Sequence, residues 1–118
     1  MAADNSGFPQ STTITLSDVL ADCDAIETAR LRYGSISLPA DTQIDKLDVY
    51  TTHDGDNWGK FSNASGTVYQ ITIPNDASNR VFCEIPDAVT QKCPVFKLLV
   101  SSTGTGTAPE EATVFLKD

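Results

Sequence analysis

The residues best placed for chemistry in this chain lie in one short stretch, His53-Asp54-Gly55-Asp56-Asn57-Trp58. A hydrolytic Ser-His-Asp or Cys-His device needs an imidazole oriented by a carboxylate and held against a nucleophile on a rigid frame. His53 is the only histidine, it sits in a run of turn formers, and no nucleophile elbow accompanies it, so the expectation is a solvated turn with no catalytic residues. Zinc ligation asks for paired Cys or His at short spacings, and Cys23, Cys83 and Cys93 do not supply them. Calcium prefers clustered oxygens, which Asp54, Asp56 and Asn57 offer, but only the opening of a calcium loop is present and the closing Glu is missing. The reading is therefore no metal and no cofactor. A surface role is the one functional use this stretch suggests: Trp58 could stack on a sugar ring while Asp54, Asp56 or Asn57 bond its hydroxyls. The competing expectation is that Trp58 packs under the hairpin or into the core. Asp22 and Asp24, flanking Cys23, read as solvated, and Asn63-Ala64-Ser65, although a glycosylation sequon, reads as a turn.

Positioning these residues falls to a chain of 118 residues, enough for one domain with a real core, with 40% hydrophobic side chains. Sixteen acidic residues against eight basic give a net charge of -8, a field that repels phosphate backbones, so nucleic acid is not an expected partner. No apolar run approaches the roughly 20 residues of a membrane helix, and no membrane partner is expected. The first ten residues carry Asp4 and no basic or apolar block, which reads as a protein made in a cytoplasm without a leader. Three cysteines without C-x-x-C spacing suit free, mostly buried thiols, with a Cys83 to Cys93 bridge as the oxidised alternative.

The dominant pattern is short β-rich runs punctuated by Pro, Gly, Asn and Asp, at the spacing of sandwiches and barrels. Thr12 to Leu16 alternates Thr with Ile and Leu, and Asp18 to Ile26 allows one helical turn that Ser17 could cap. Arg30 to Leu38 reads as a strand with Gly34 at a bulge or a close backbone approach. Ile44 to Thr51 and Trp58 to Phe61 flank the Asp54-Gly55 turn as a hairpin. Val68 to Ile73 and Val81 to Ile85 alternate again, Val95 to Val100 looks like a central strand covered on both faces, Ser101 to Pro109 like a mobile loop, and Ala112 to Leu116 like the closing strand. The expected fold is all-β, an antiparallel β-sandwich of about eight strands, with residues 1–11 a flexible arm and residues 12–118 a single domain.

The order of these pieces carries a resemblance. Leu38-Pro39-Ala40, then Asp54-Gly55-x-x-Trp58, a Ser65-Gly66 turn before Val68-x-x-Ile71-x-Ile73, and a late Phe96-Lys97-Leu98-Leu99-Val100-Ser101-Ser102-x-Gly104-Thr105 follow one another over residues 12–117. In this order the chain resembles small virion structural proteins of tailed bacteriophages. It departs from their Ser-Gly-Thr loop by one inserted residue, in Ser102-Thr103-Gly104. The resemblance implies a jelly-roll or galactose-binding-like sandwich and no enzymatic activity. It further implies a capsid decoration, or cement, protein that binds the major capsid protein on the outer shell as a homo-oligomer such as a trimer. It would be made in the bacterial host cytoplasm and reside in the virion. The alternatives are a tail or baseplate component and, from a different class, a carbohydrate-binding module.

Overall fold

The computed structural model describes residues 10–28, 31–103 and 110–118. Among these residues nine strands form two antiparallel sheets packed face to face, and a single-turn 3-10 helix at Leu20–Asp22 and one short α-helix lie in the connections. In chain order the strands are β1 (Gln10–Leu16), β2 (Ile26–Glu27), β3 (Tyr33–Leu38), β4 (Ile44–Thr51), β5 (Gly59–Lys60), β6 (Gln70–Thr72) and β7 (Val81–Ile85). Helix α1 (Asp87–Lys92) follows, then β8 (Val95–Thr103) and β9 (Glu110–Lys117). The first sheet runs β1-β9-β3-β7; the second runs β2-β8-β4-β5, with β6 also on β4.

The pairings are nested. β1 pairs with β9, β2 with β8, β3 with β7, and β4 with β5 and β6, as in one long ribbon folded at its middle. Rolling that ribbon brings β9 onto β3 and β8 onto β4, which closes each sheet and gives the jelly-roll order. The all-β sandwich read from the sequence is thus the fold. Its strand count is nine rather than eight because Ile26–Glu27 pairs with Phe96 and Val95.

Alternation explains why each run forms its strand. Ile14 and Leu16, Ile36 and Leu38, Val81 and Ile85, and Ala112, Val114 and Leu116 point inward from the first sheet; Leu47, Val49, Phe96, Leu98 and Val100 meet them from the second. Each fully buried Leu, Ile or Phe side chain contributes about 1.5–3 kcal/mol of apolar burial.

Several expectations change in the structure. β8 lies between β2 and β4 but is not covered on both faces: Phe96, Leu98 and Val100 are buried, whereas Val95, Lys97 and Leu99 are half-buried on the outer side. Beyond β2 the same edge of β8 pairs with Ser17, whose carbonyl accepts from the Val100 N–H at 2.9 Å. The strands expected over Trp58 to Phe61 and Val68 to Ile73 shrink to Gly59–Lys60 and Gln70–Thr72, since both must share one edge of the eight-residue β4. β1 starts at Gln10, two residues before the expected domain boundary, because its partner strand continues to Lys117. β8 likewise runs on to Thr103, into the stretch read as a loop. The remainder of that stretch, residues 104–109, and the first nine residues of the expected arm lie outside the described residues.

Helix α1 was not expected. Pro86 reads as a strand stop, yet it also opens the helix with its fixed φ, followed by Asp87 in the first turn and Lys92 in the last, as the helix dipole favours. The 3-10 turn at Leu20–Asp22 corresponds to the expected helical turn, and the Val19 N–H donates to Ser17 Oγ at 3.0 Å.

Candidate functional site

The acidic turn between β4 and β5 is built around one carboxylate. The backbone N–H groups of Asp56 and Asn57 donate to Asp54 Oδ1 at 2.8 and 2.9 Å, and the Thr52 hydroxyl donates to the same oxygen at 3.1 Å. Asn57 Nδ2 donates to Asp54 Oδ2 at 2.7 Å. These donors hold the Asp54 carboxyl well below the usual carboxylate range, the Asn57 and Asp56 N–H groups contributing most. Gly55 has φ +87, a conformation that glycine adopts without steric cost. The same construction recurs at Asp76-Ala77-Ser78-Asn79. There Ser78 N–H and Asn79 N–H donate to Asp76 Oδ1 at 3.0 Å each, Asn79 Nδ2 reaches Oδ2, and the Asp76 carboxyl is also pushed down. A carboxylate ringed by donors is closing its own loop. Three donors fill Asp54 Oδ1, while Oδ2 on this exposed side chain accepts only one.

His53, Asp54, Asp56 and Asn57 are all exposed at this tip, and a shallow depression of about 330 Å³ is lined by His53, Asp54, Asn57, Thr51, Thr52, Gly59 and Lys60. Trp58 does not line it. The indole is half-buried and carries the Lys97 ammonium 4.7 Å from its ring centroid, and Lys97 Nζ also donates to the Leu20 carbonyl at 3.2 Å. The structure therefore keeps Asp54 and Asn57 together but directs Trp58 toward a neighbouring cation. Among the described residues no group of three or more His, Cys, Asp or Glu side chains is placed to hold a metal ion.

The three thiols are free: Cys23 and Cys93 are buried, Cys83 is half-buried, and burial pushes all three up. The Cys83 to Cys93 bridge is absent. Cys83 sits on β7 with its Sγ directed at the Thr72 carbonyl, whereas Cys93 closes the end of α1.

A second surface was not singled out in the sequence. On the outer face of the first sheet, Tyr33, Phe82, Phe115 and Lys117 surround a floor made by Gly34 and Ser35, enclosing a depression of about 450 Å³. The register explains it. Ser35 lies opposite Phe115 on one side and Glu84 on the other, and Ser37 lies opposite Phe82, so a row of small side chains on β3 runs between two phenylalanines. Phe82 is 64% exposed and Tyr33 50%, unusual for rings of that size. The patch has basic ends. Arg80 Nε donates to Ser37 Oγ at 2.9 Å, Lys117 pairs with Tyr33, and Arg32 lies beside it with a long 3.8 Å contact to Asp118. Exposed Glu84 is the acidic side chain on the same face of β7. The signal is present in the sequence as phase: Val81 and Cys83 face inward, so Phe82 must face out, and Val114 and Leu116 do the same for Phe115.

Comparison with known proteins finds no family model, no curated sequence and no solved structure that matches the chain. No helix among the described residues is long and apolar enough to cross a membrane.

Proposed function

We propose that this chain is a structural protein of a tailed-phage virion, a decoration protein that binds the outer capsid surface as a homo-oligomer and adds contact area between neighbouring capsid subunits. The observation that carries this reading is the aromatic groove of Tyr33, Phe82 and Phe115, an apolar patch on a rigid sheet of the kind that marks protein contacts. The order of sequence motifs supports the phage context, and a jelly-roll sandwich is a scaffold suited to presenting such a face. The net charge of -8 also makes the summed field of the chain repel packaged DNA. The carbohydrate-binding reading has weaker support, since the Trp58 ring is engaged by Lys97 and Asp54 Oδ1 by its own turn.

Electron microscopy of purified particles tests the proposal. Density for this chain at regular positions on the shell is the expected result. Density confined to the tail would move the protein to the tail or baseplate, and absence from particles would reject the virion reading. Binding of a sugar that Trp58→Ala abolishes would establish the module instead.

A further inference from the structure

Among the described residues only three large apolar side chains are strongly exposed, and they divide between two places. Tyr33 and Phe82 belong to the groove, which Lys117 lines at one end and Arg80, bonded to Ser37, flanks at the other, with Glu84 opposite Ser35 between them. Val19, 50% exposed, stands alone at the tip of the loop Asp18-Val19-Leu20-Ala21-Asp22, flanked by the exposed carboxylates of Asp18 and Asp22. The two places lie on opposite sides of the sandwich. The groove is on the outer face of the first sheet; the loop leaves the edge of the second, where Ser17 bridges the Leu99 backbone, and lies toward its outer side, where the Leu20 carbonyl accepts from Lys97.

An apolar knob with acidic flanks and an apolar groove with basic ends are complementary in both hydrophobicity and charge. Because one chain carries them on opposite faces, they cannot meet within it, but they can meet between copies. We propose that the Val19 loop of one copy docks in the Tyr33/Phe82/Phe115 groove of the next, giving a head-to-tail assembly of this chain. Such an interface uses different patches on its two sides, so it generates a closed ring when the rotation between copies closes. The apolar contact supplies affinity, while Asp18 and Asp22 against Arg80 and Lys117 fix the direction and hasten encounter. The 3-10 turn presents the knob ready formed: Val19 N–H is held by Ser17 Oγ, and the Asp22 N–H donates to the Val19 carbonyl at 3.0 Å.

The inference extends the self-association part of the function proposed above. It is tested on the purified chain without particles, so that its failure and failure of the capsid assignment are separate results. Mass would be measured by sedimentation velocity or light scattering for the parent chain, Val19→Asp, Phe82→Asp and an equal mixture of the two variants. Both substitutions are at exposed positions, and circular dichroism melts verify that each variant is folded. The expected result is an oligomer for the parent and a monomer for each variant. The mixture should give a one-to-one pair, because each pair retains one intact loop facing one intact groove. A mixture that stays monomeric overturns the head-to-tail arrangement, as does a Val19→Asp chain that assembles like the parent. A parent chain that is monomeric at all accessible concentrations overturns self-docking and leaves the groove to a different protein.

Discussion

Gly34 offers a direct test of how tightly helix α1 meets the first sheet. A methyl group added there would stand 3.1 Å from Leu116 Cδ2, 3.1 Å from Thr90 Cγ2 and 3.3 Å from Ile85 Cδ1. Carbon pairs pack comfortably at about 3.5–4.0 Å, so all three neighbours must retreat by several tenths of an ångström. They have little freedom to do so. Ile85 is fully buried, Leu116 and Thr90 nearly so, and the Thr90 hydroxyl is anchored to the Arg32 and Asp87 carbonyls. Overpacking of this kind costs about 1–3 kcal/mol, and replacing a strand glycine by alanine returns about 0.5–1 kcal/mol of backbone entropy. Gly34→Ala should therefore destabilise by about 0.5–2 kcal/mol. With an unfolding entropy of about 2.1 cal/mol/K per residue, or about 0.25 kcal/mol/K over 118 residues, the melting temperature should fall by about 2–8 °C. Gly59→Ala is the matched control, since nothing lies within 4 Å of its added methyl group and its φ is not positive. Differential scanning calorimetry of the parent and both variants reads the difference. If Gly34→Ala melts at or above the parent temperature, the close approach at β3 is not the constraint described.

Leu98→Asp places a carboxylate at a position 1% exposed, a cost of several kcal/mol against a total stability of about 5–15 kcal/mol, and should abolish soluble expression; recovery of folded protein would contradict the assignment of β8 to the core. Asp54 and Asp76 are held below the ordinary carboxylate pKa of 3.8 in the folded chain. Their contribution is thus complete above that value and is lost as the pH falls below it. The denaturant midpoint should drop between pH 4 and pH 2, and the double variant Asp54→Asn, Asp76→Asn should flatten the drop. The same measurement in the parent showing no pH dependence would count against the two capped turns. Thiol titration under native conditions should label Cys83 slowly and spare Cys23 and Cys93, with all three reacting after unfolding; immediate reaction of three thiols would mean that the core is open.

Strands whose apolar residues alternate are legible in the sequence alone. Thr12 to Leu16, Ile44 to Thr51, Val81 to Ile85 and Ala112 to Leu116 each present one apolar face, and the Asp54-Gly55 pair marks the hairpin between β4 and β5. Elements held by neighbours and not by their own pattern escape such a reading. β2 has two residues and exists through its pairing with Phe96 and Val95, while α1 is too short to display a helical period. The acidic turn is legible as a turn, but that Asp54 Oδ1 accepts from the backbone of its own turn and Oδ2 from the Asn57 side chain emerges only from hydrogen-bond geometry. The groove is hidden for a different reason. Phe82 and Phe115 are 33 positions apart in sequence, and only the placement of both β7 and β9 beside β3 brings them to either side of the same serines.

The nested ribbon has a consequence for biosynthesis. β9 precedes no other strand in chain order, yet it lies between β1 and β3, so the first sheet has no middle until residues 110–117 exist. Gln10 must wait for Leu116, and at about 5–20 residues per second a ribosome separates the two by roughly 5–20 s. Through that interval β1 has no partner in its own sheet, and β3 has only β7 once that strand has emerged. Cooperative folding of this chain is consequently a post-translational event with respect to its own β9. A backbone break between residues 103 and 110 would split the molecule into a large fragment with a strand-wide slot and a short peptide cut to fill it, the arrangement on which reporters based on fragment complementation depend.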